Sequence, residues 1–148
     1  MGKRWGGDGV LAWALLSLAG ELGLERVTVG AIAGRMDRSR ATLHREYGTL
    51  ETMLAVAYQE WLRRLDAVGA GLHVGSPREQ VEELFERLRA ELRTSEGRGF
   101  RAVRTTIATR SDLEDFRRRE VEGLGAVRQW LGILIAHSPQ KPELLTEL

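Results

Sequence analysis

The sequence predicts an all-α fold of about seven helices, divided into a three-helix segment over 1–48 and a longer helical segment over 49–148. Three observations carry that expectation. Apolar residues recur at spacings of three and four in almost every periodic segment, no useful stretch alternates with the period of two that a strand requires, and cap and stop residues punctuate the chain. With 148 residues, 43% of them apolar, and a formal net charge of +1, the chain can bury enough surface to offset its conformational entropy. The absence of cysteine excludes a disulfide framework, a thiolate zinc site and a cysteine nucleophile.

The first helix starts at Asp8 as N-cap and ends at Gly23, with Leu11, Leu15, Leu18 and Leu22 forming one amphipathic stripe. Lys3 and Arg4 ahead of the apolar run from Val10 to Gly20 imitate a secretory signal, but the stripe runs on past any cleavage point. No other segment approaches the roughly 20 apolar residues that span a bilayer. The expectation is a cytoplasmic protein with no membrane partner. Thr28 caps a second, short helix that buries Val29, Ile32 and Ala33; Met36-Asp37-Arg38 forms a turn, since Asp tolerates left-handed backbone angles. Ser39 caps a third short helix from Arg40 to about Tyr47, which Gly48 and Thr49 break.

A longer helix follows from Thr49, with Leu50, Leu54, Ala57, Trp61, Leu65 and Val68 on one stripe, and dissolves between Gly69 and Gly75. Ser76-Pro77-Arg78-Glu79 reads as a capping box with proline at the first helical position, opening a helix that buries Val81, Leu84, Phe85, Leu88 and Leu92. A loop around Ser95 to Gly99 leads to a helix carrying Phe100, Val103 and Ile107. A second capping box at Ser111 to Glu114 opens a long helix, Asp112 to Ala136, that Pro139 and Pro142 end.

Two short helices cannot persist alone in water, because nucleation is costly and few hydrogen bonds repay it. The second and third helices therefore pack on the first, with Leu43 and Tyr47 inward and Arg40, Ala41, His44 and Arg45 on the outer face. Small Ala41 beside two arginines suits a helix whose backbone approaches a groove wall, the geometry of a helix-turn-helix. Charge follows the same division. Residues 1–48 carry a net of +2 and the remainder a net of −1, and Arg35 to Arg45 holds four arginines against one acid. Such a surface is drawn to phosphates.

Thr28-Val-Gly-Ala-Ile-Ala33, Ser39-Arg-Ala-Thr-Leu-His-Arg-Glu-Tyr-Gly-Thr49 and Glu51-Thr-Met-Leu54 together resemble the amino-terminal domain of the TetR family of bacterial transcriptional regulators. The resemblance covers about residues 10–54. It implies a helix-turn-helix domain over 1–48 and, over 49–148, a ligand-binding and dimerisation domain short for the family. It further implies a homodimer on a palindromic double-stranded DNA operator, released by a small-molecule effector, in most cases as a repressor. By position, Thr28, Arg38, Ser39, Arg40, Ala41, Thr42, His44, Arg45 and Thr49 would form the DNA-contacting set. Arg40 and Arg45 would look into the major groove, and Thr28 and Thr49 would cap helices whose amino termini receive phosphates.

The chain departs from the family pattern at four places. The turn is Met36-Asp37-Arg38 where Ala-Gly-Val is usual, His44 replaces a phosphate-contacting tyrosine, Leu50 replaces a lysine, and Glu46 adds an acid beside the reading helix. These departures imply weaker or differently aimed DNA contacts. They leave open a second reading, a helical sensor or protein-interaction module with this fold that has lost specific DNA binding.

In the second segment Trp61, Phe85, Phe100 and Trp130 are candidates for an apolar ligand pocket, although aromatics at helical spacing more often build a core. Arg117 to Arg119 reads as a solvated face that Glu114, Glu120 and Glu122 can pair. The three histidines are scattered, with no metal-ligand spacing, nucleophile motif or phosphate-binding glycine loop, so neither catalysis nor a metal or cofactor is expected. Dimerisation is expected across the long late helix, where Gly123, Gly125 and Gly132 permit close approach.

Overall fold

A computed structural model describes residues 8–70 and 75–110, together with Arg118 and Gly125, both helical. The described residues form six α-helices and one three-residue 3-10 turn, with no strand: α1 (Gly9–Leu22), α2 (Val29–Met36), α3 (Arg40–Tyr47), α4 (Leu50–Ala70), α5 (Pro77–Arg93) and α6 (Ser95–Arg110). The fold is all-α, and among the described residues no helix is long and apolar enough to cross a membrane. Apart from Arg118 and Gly125, the expected helix Asp112–Ala136, with its capping box, Trp130 and glycine face, lies outside the described residues.

The second and third helices begin where their caps require. Thr28 and Ser39 are extended, and each hydroxyl accepts the backbone N–H three residues on, from Ala31 and Thr42, both at 3.1 Å. At the start of α5 the capping box is reciprocal: Ser76 Oγ accepts from Glu79 N, and Glu79 Oε2 accepts from Ser76 N at 2.7 Å. That bond and the Ser76 hydroxyl hold the Glu79 carboxyl below its ordinary range. Asp8 precedes α1 but its side chain makes no cap; the carboxylate instead accepts from the Tyr47 hydroxyl at 3.0 Å, 39 residues away.

Helix α1 is the axis of the molecule. Leu11, Ala12, Ala14, Leu15, Leu16, Leu18 and Ala19 are all buried, so the expected single stripe is a helix covered nearly all round by α2, α4 and α6. Leu22, the last member of that stripe, is 45% exposed. The core runs on through Ile32, Ala33, Leu43, Met53, Leu54, Ala57, Tyr58, Trp61, Leu62, Leu65, Phe100 and Val103. Met53, Tyr58 and Leu62 of α4 are buried beyond its expected stripe, since both α1 and α6 pack on that helix.

Three local expectations are corrected. Residues 95–99 are not a loop: Thr94 ends α5 and its hydroxyl accepts from Gly97 N at 3.1 Å, so α6 starts at Ser95. The glycines there serve packing. A Cβ at Gly99 would strike the Leu16 carbonyl, and one at Gly20 the Ser95 carbonyl, so α1 and α6 cross backbone against backbone. Helix α4 continues past Val68 to Ala70. Of the face expected on α5, only Leu84 is buried; Val81, Phe85, Leu88 and Leu92 are half-buried.

Candidate nucleic-acid interface

The connection between α2 and α3 is built on a backbone turn that few residue types accept. Asp37 adopts the left-handed conformation, φ 53° and ψ 47°, while Arg38 N donates to Ala33 O at 2.9 Å and Asp37 N to Gly34 O at 3.3 Å. This pair of bonds satisfies the last carbonyls of α2 and reverses the chain within Asp37, Arg38 and Ser39. A short polar side chain carries that conformation where most residues resist it.

The orientation of α3 is set from below. Leu43 is fully buried against the core and Tyr47, one turn on, reaches Asp8. Desolvation and the neighbouring Asp8 carboxylate push the Tyr47 hydroxyl up to about 12. With Leu43 and Tyr47 inward, Arg40, Ala41, His44 and Arg45 are exposed together on one face, as three- and four-residue spacing dictates. Thr42 is half-buried beside them, its hydroxyl 2.8 Å from Ser39 Oγ, and Thr49 caps α4 by accepting from Thr52 N at 3.2 Å.

The four arginines of the basic segment separate into two kinds. Arg35 lies across α1, donating to Glu21 Oε2 and to buried Ser17 Oγ, each at 2.8 Å, and so ties α2 to α1. Arg38 is held by both carboxylate oxygens of Glu46, at 3.1 and 2.9 Å. This bond draws a predicted DNA-contacting residue onto the acid that the sequence places beside the outer face of α3, and neutralises both. Arg40 and Arg45 have no acidic partner among the described residues; Arg45 makes only a long 3.5 Å contact with Thr42 Oγ1. His44 Nδ1 lies 2.9 Å from Gly48 O, where the chain leaves α3 at a φ of 80°.

Thr28 and Ser39 are exposed at their helix starts, so Thr28, Ser39, Arg40, Ala41, His44, Arg45 and Thr49 all reach solvent. Arg35's tie to α1 and the Arg38–Glu46 pair escaped sequence reasoning. Their partners lie 14 and 8 residues away, outside the spacing at which helical neighbours meet.

The aromatic candidates fall differently. Trp61 and Phe100 stack at 5.9 Å between ring centres, and Tyr58 stacks on Phe100 at 5.4 Å, a buried cluster joining α4 to α6. Arg64 lies over the Trp61 ring, 5.7 Å from its centre, and grips Glu91 of α5 through two bonds of 2.7 and 3.0 Å. Phe85 stands outside this cluster, half-buried on α5, and Trp130 lies outside the described residues. Among the described residues no group of histidines and carboxylates is arranged to hold a metal ion. Compared with known families, curated proteins and solved structures, the chain finds no match in any of the three.

Proposed function

We propose that the chain is a DNA-binding transcriptional regulator of TetR-like design, in which α2 and α3 act as a helix-turn-helix and α3 reads the major groove. The observation that carries this reading is the exposed face of α3. Two arginines without acidic partners among the described residues flank a small Ala41, while Arg35 and Arg38 nearby are each held by a carboxylate. Arginine without a local partner is what phosphate and guanine edges recruit, and alanine lets the helix backbone approach the groove closely. On this reading the protein binds a palindromic operator as a homodimer, and a small-molecule effector acting on the helical remainder releases it.

Helix α4 is the natural lever for that release. Two residues separate it from α3, and it carries Tyr58 and Trp61 into the aromatic cluster, so a change there bears directly on the reading helix. The test is binding to the DNA upstream of the protein's own gene over a salt series. Arg40→Ala and Arg45→Ala should each weaken binding about tenfold and flatten the salt slope by about one. Unchanged affinity and slope in both variants would sink the assignment of α3. The Arg38–Glu46 pair favours one alternative, a helical sensor or protein-interaction module without specific DNA binding, because it removes a cation from those that would face DNA. Absence of salt-dependent DNA binding would support it.

A further inference from the structure

The tautomer of His44 is dictated by the end of its own helix. Gly48 O can only accept a hydrogen bond, so His44 Nδ1, 2.9 Å away, must carry the hydrogen. A neutral imidazole has one N–H; with that committed to Gly48, Nε2 presents a bare lone pair. A lone pair repels phosphate oxygens and the N7 and O6 of guanine, which are all acceptors. Protonation adds a hydrogen and a positive charge at Nε2 while leaving the bond to Gly48 intact.

Resting on the reading of α3 as a DNA-contacting helix, we propose that His44 is a proton-gated contact, donating to phosphate or guanine in its doubly protonated form alone. Exposed His44 lies one turn beyond Arg40 and beside Arg45, on the face already assigned to DNA. Charged groups lie on α3 and on the described elements next to it. On α3 they are Arg40, Arg45 and Glu46, the last held by Arg38 from the preceding turn. From α2, Arg35 is turned onto Glu21 and Ser17; just ahead of α1, Asp8 is engaged by Tyr47; α4 contributes Glu51 in its first turn. Among the described residues, Gly48 O is the hydrogen-bond partner of the ring.

The consequence is a DNA affinity that rises as pH falls, with an extra phosphate contact appearing in the salt dependence. The protein is titrated with a random-sequence DNA duplex at about pH 6 and about pH 8. Binding should be about fivefold tighter at the lower pH, with a salt slope steeper by about one for each His44 engaged. His44→Gln, which keeps a polar side chain that does not titrate, should abolish the pH change. The combined His73→Gln and His137→Gln variant should retain it.

A wild-type affinity flat with pH, while Arg40→Ala weakens binding, would overturn the proton gate and leave the DNA reading standing. So would a pH change that persists in His44→Gln. If Arg40→Ala and Arg45→Ala both bind like wild type, the DNA reading itself fails. Imidazole nitrogen NMR at about pH 8 without DNA checks the premise separately. The Nδ1–H tautomer is expected at His44, and the Nε2–H tautomer would refute the gate.

Discussion

Tyr47 illustrates how one side chain can hold a functional surface in place from behind. Its ring packs at the base of α3 and its hydroxyl donates to Asp8 at 3.0 Å, joining the end of α3 to the start of α1. Tyr47→Phe should therefore lower stability by about 1 kcal/mol, the net worth of one such bond, in a urea titration at neutral pH. The folded protein keeps the proton up to about 12, whereas a tyrosine in the unfolded chain loses it near its ordinary value of 10.0. Tyr47's contribution is thus whole below pH 10 and is lost as the pH rises towards 12, and the gap between wild type and Tyr47→Phe should close over that window. The inward position of Tyr47 was legible from its spacing to Leu43. Its partner was not, because Asp8 reads locally as an N-cap and only the approach of two distant elements redirects its carboxylate.

At the scale of the element, the turn between α2 and α3 is where sequence and structure agree most closely. The sequence places Asp37 in a turn, and the structure puts it in the left-handed conformation at φ 53°. A β-branched residue is costly there, so Asp37→Val should lose about 2 kcal/mol of stability, while Asp37→Gly should be at least as stable as wild type. Matching losses of helical circular dichroism and urea midpoint would check the first; a destabilised Asp37→Gly would show that the carboxylate matters more than the backbone. The caps at Thr28, Ser39 and Ser76 were equally readable, since a cap involves residues three apart, whereas the cap at Thr49 was expected only from the family resemblance. The start of α6 was not. Gly97 and Gly99 carry the local signature of a loop, yet Thr94 caps a helix through them because α1 and α5 need the space a side chain would fill.

For the whole molecule, the crossing of α1 and α6 matters most. It joins the segment bearing α2 and α3 to the later helices through direct backbone contact at Gly20 and Gly99. Gly99→Ala should destabilise by about 3 kcal/mol, because its Cβ meets the backbone of Leu16 and neither helix can yield without disturbing the core. Gly34→Ala is the matched control: that helical position is exposed with nothing within 4 Å, so the substitution should stabilise by about 0.5–1 kcal/mol. Thermal melts of the two variants should move in opposite directions. Equal and small effects would mean that α1 and α6 do not meet as closely as the glycines indicate.

By itself the sequence determined what depends on neighbours in the chain: the all-α class, the caps at Thr28, Ser39 and Ser76, the left-handed turn at Asp37, and the exposure of Arg40, Ala41, His44 and Arg45. Those features follow from hydrogen bonds and side-chain periodicity within about one helical turn. Tertiary structure alone decided which arginines are held and which are available, since Arg35 is matched to Glu21 across α1 and α2 and Arg38 to Glu46 across the turn. It also decided that α1 is buried nearly all round, and that glycines resembling a loop form a helix crossing. The physical reason is common to these cases. A charge finds its partner, and a helix face its cover, through the packing of elements distant in sequence, and no local spacing encodes which elements will meet.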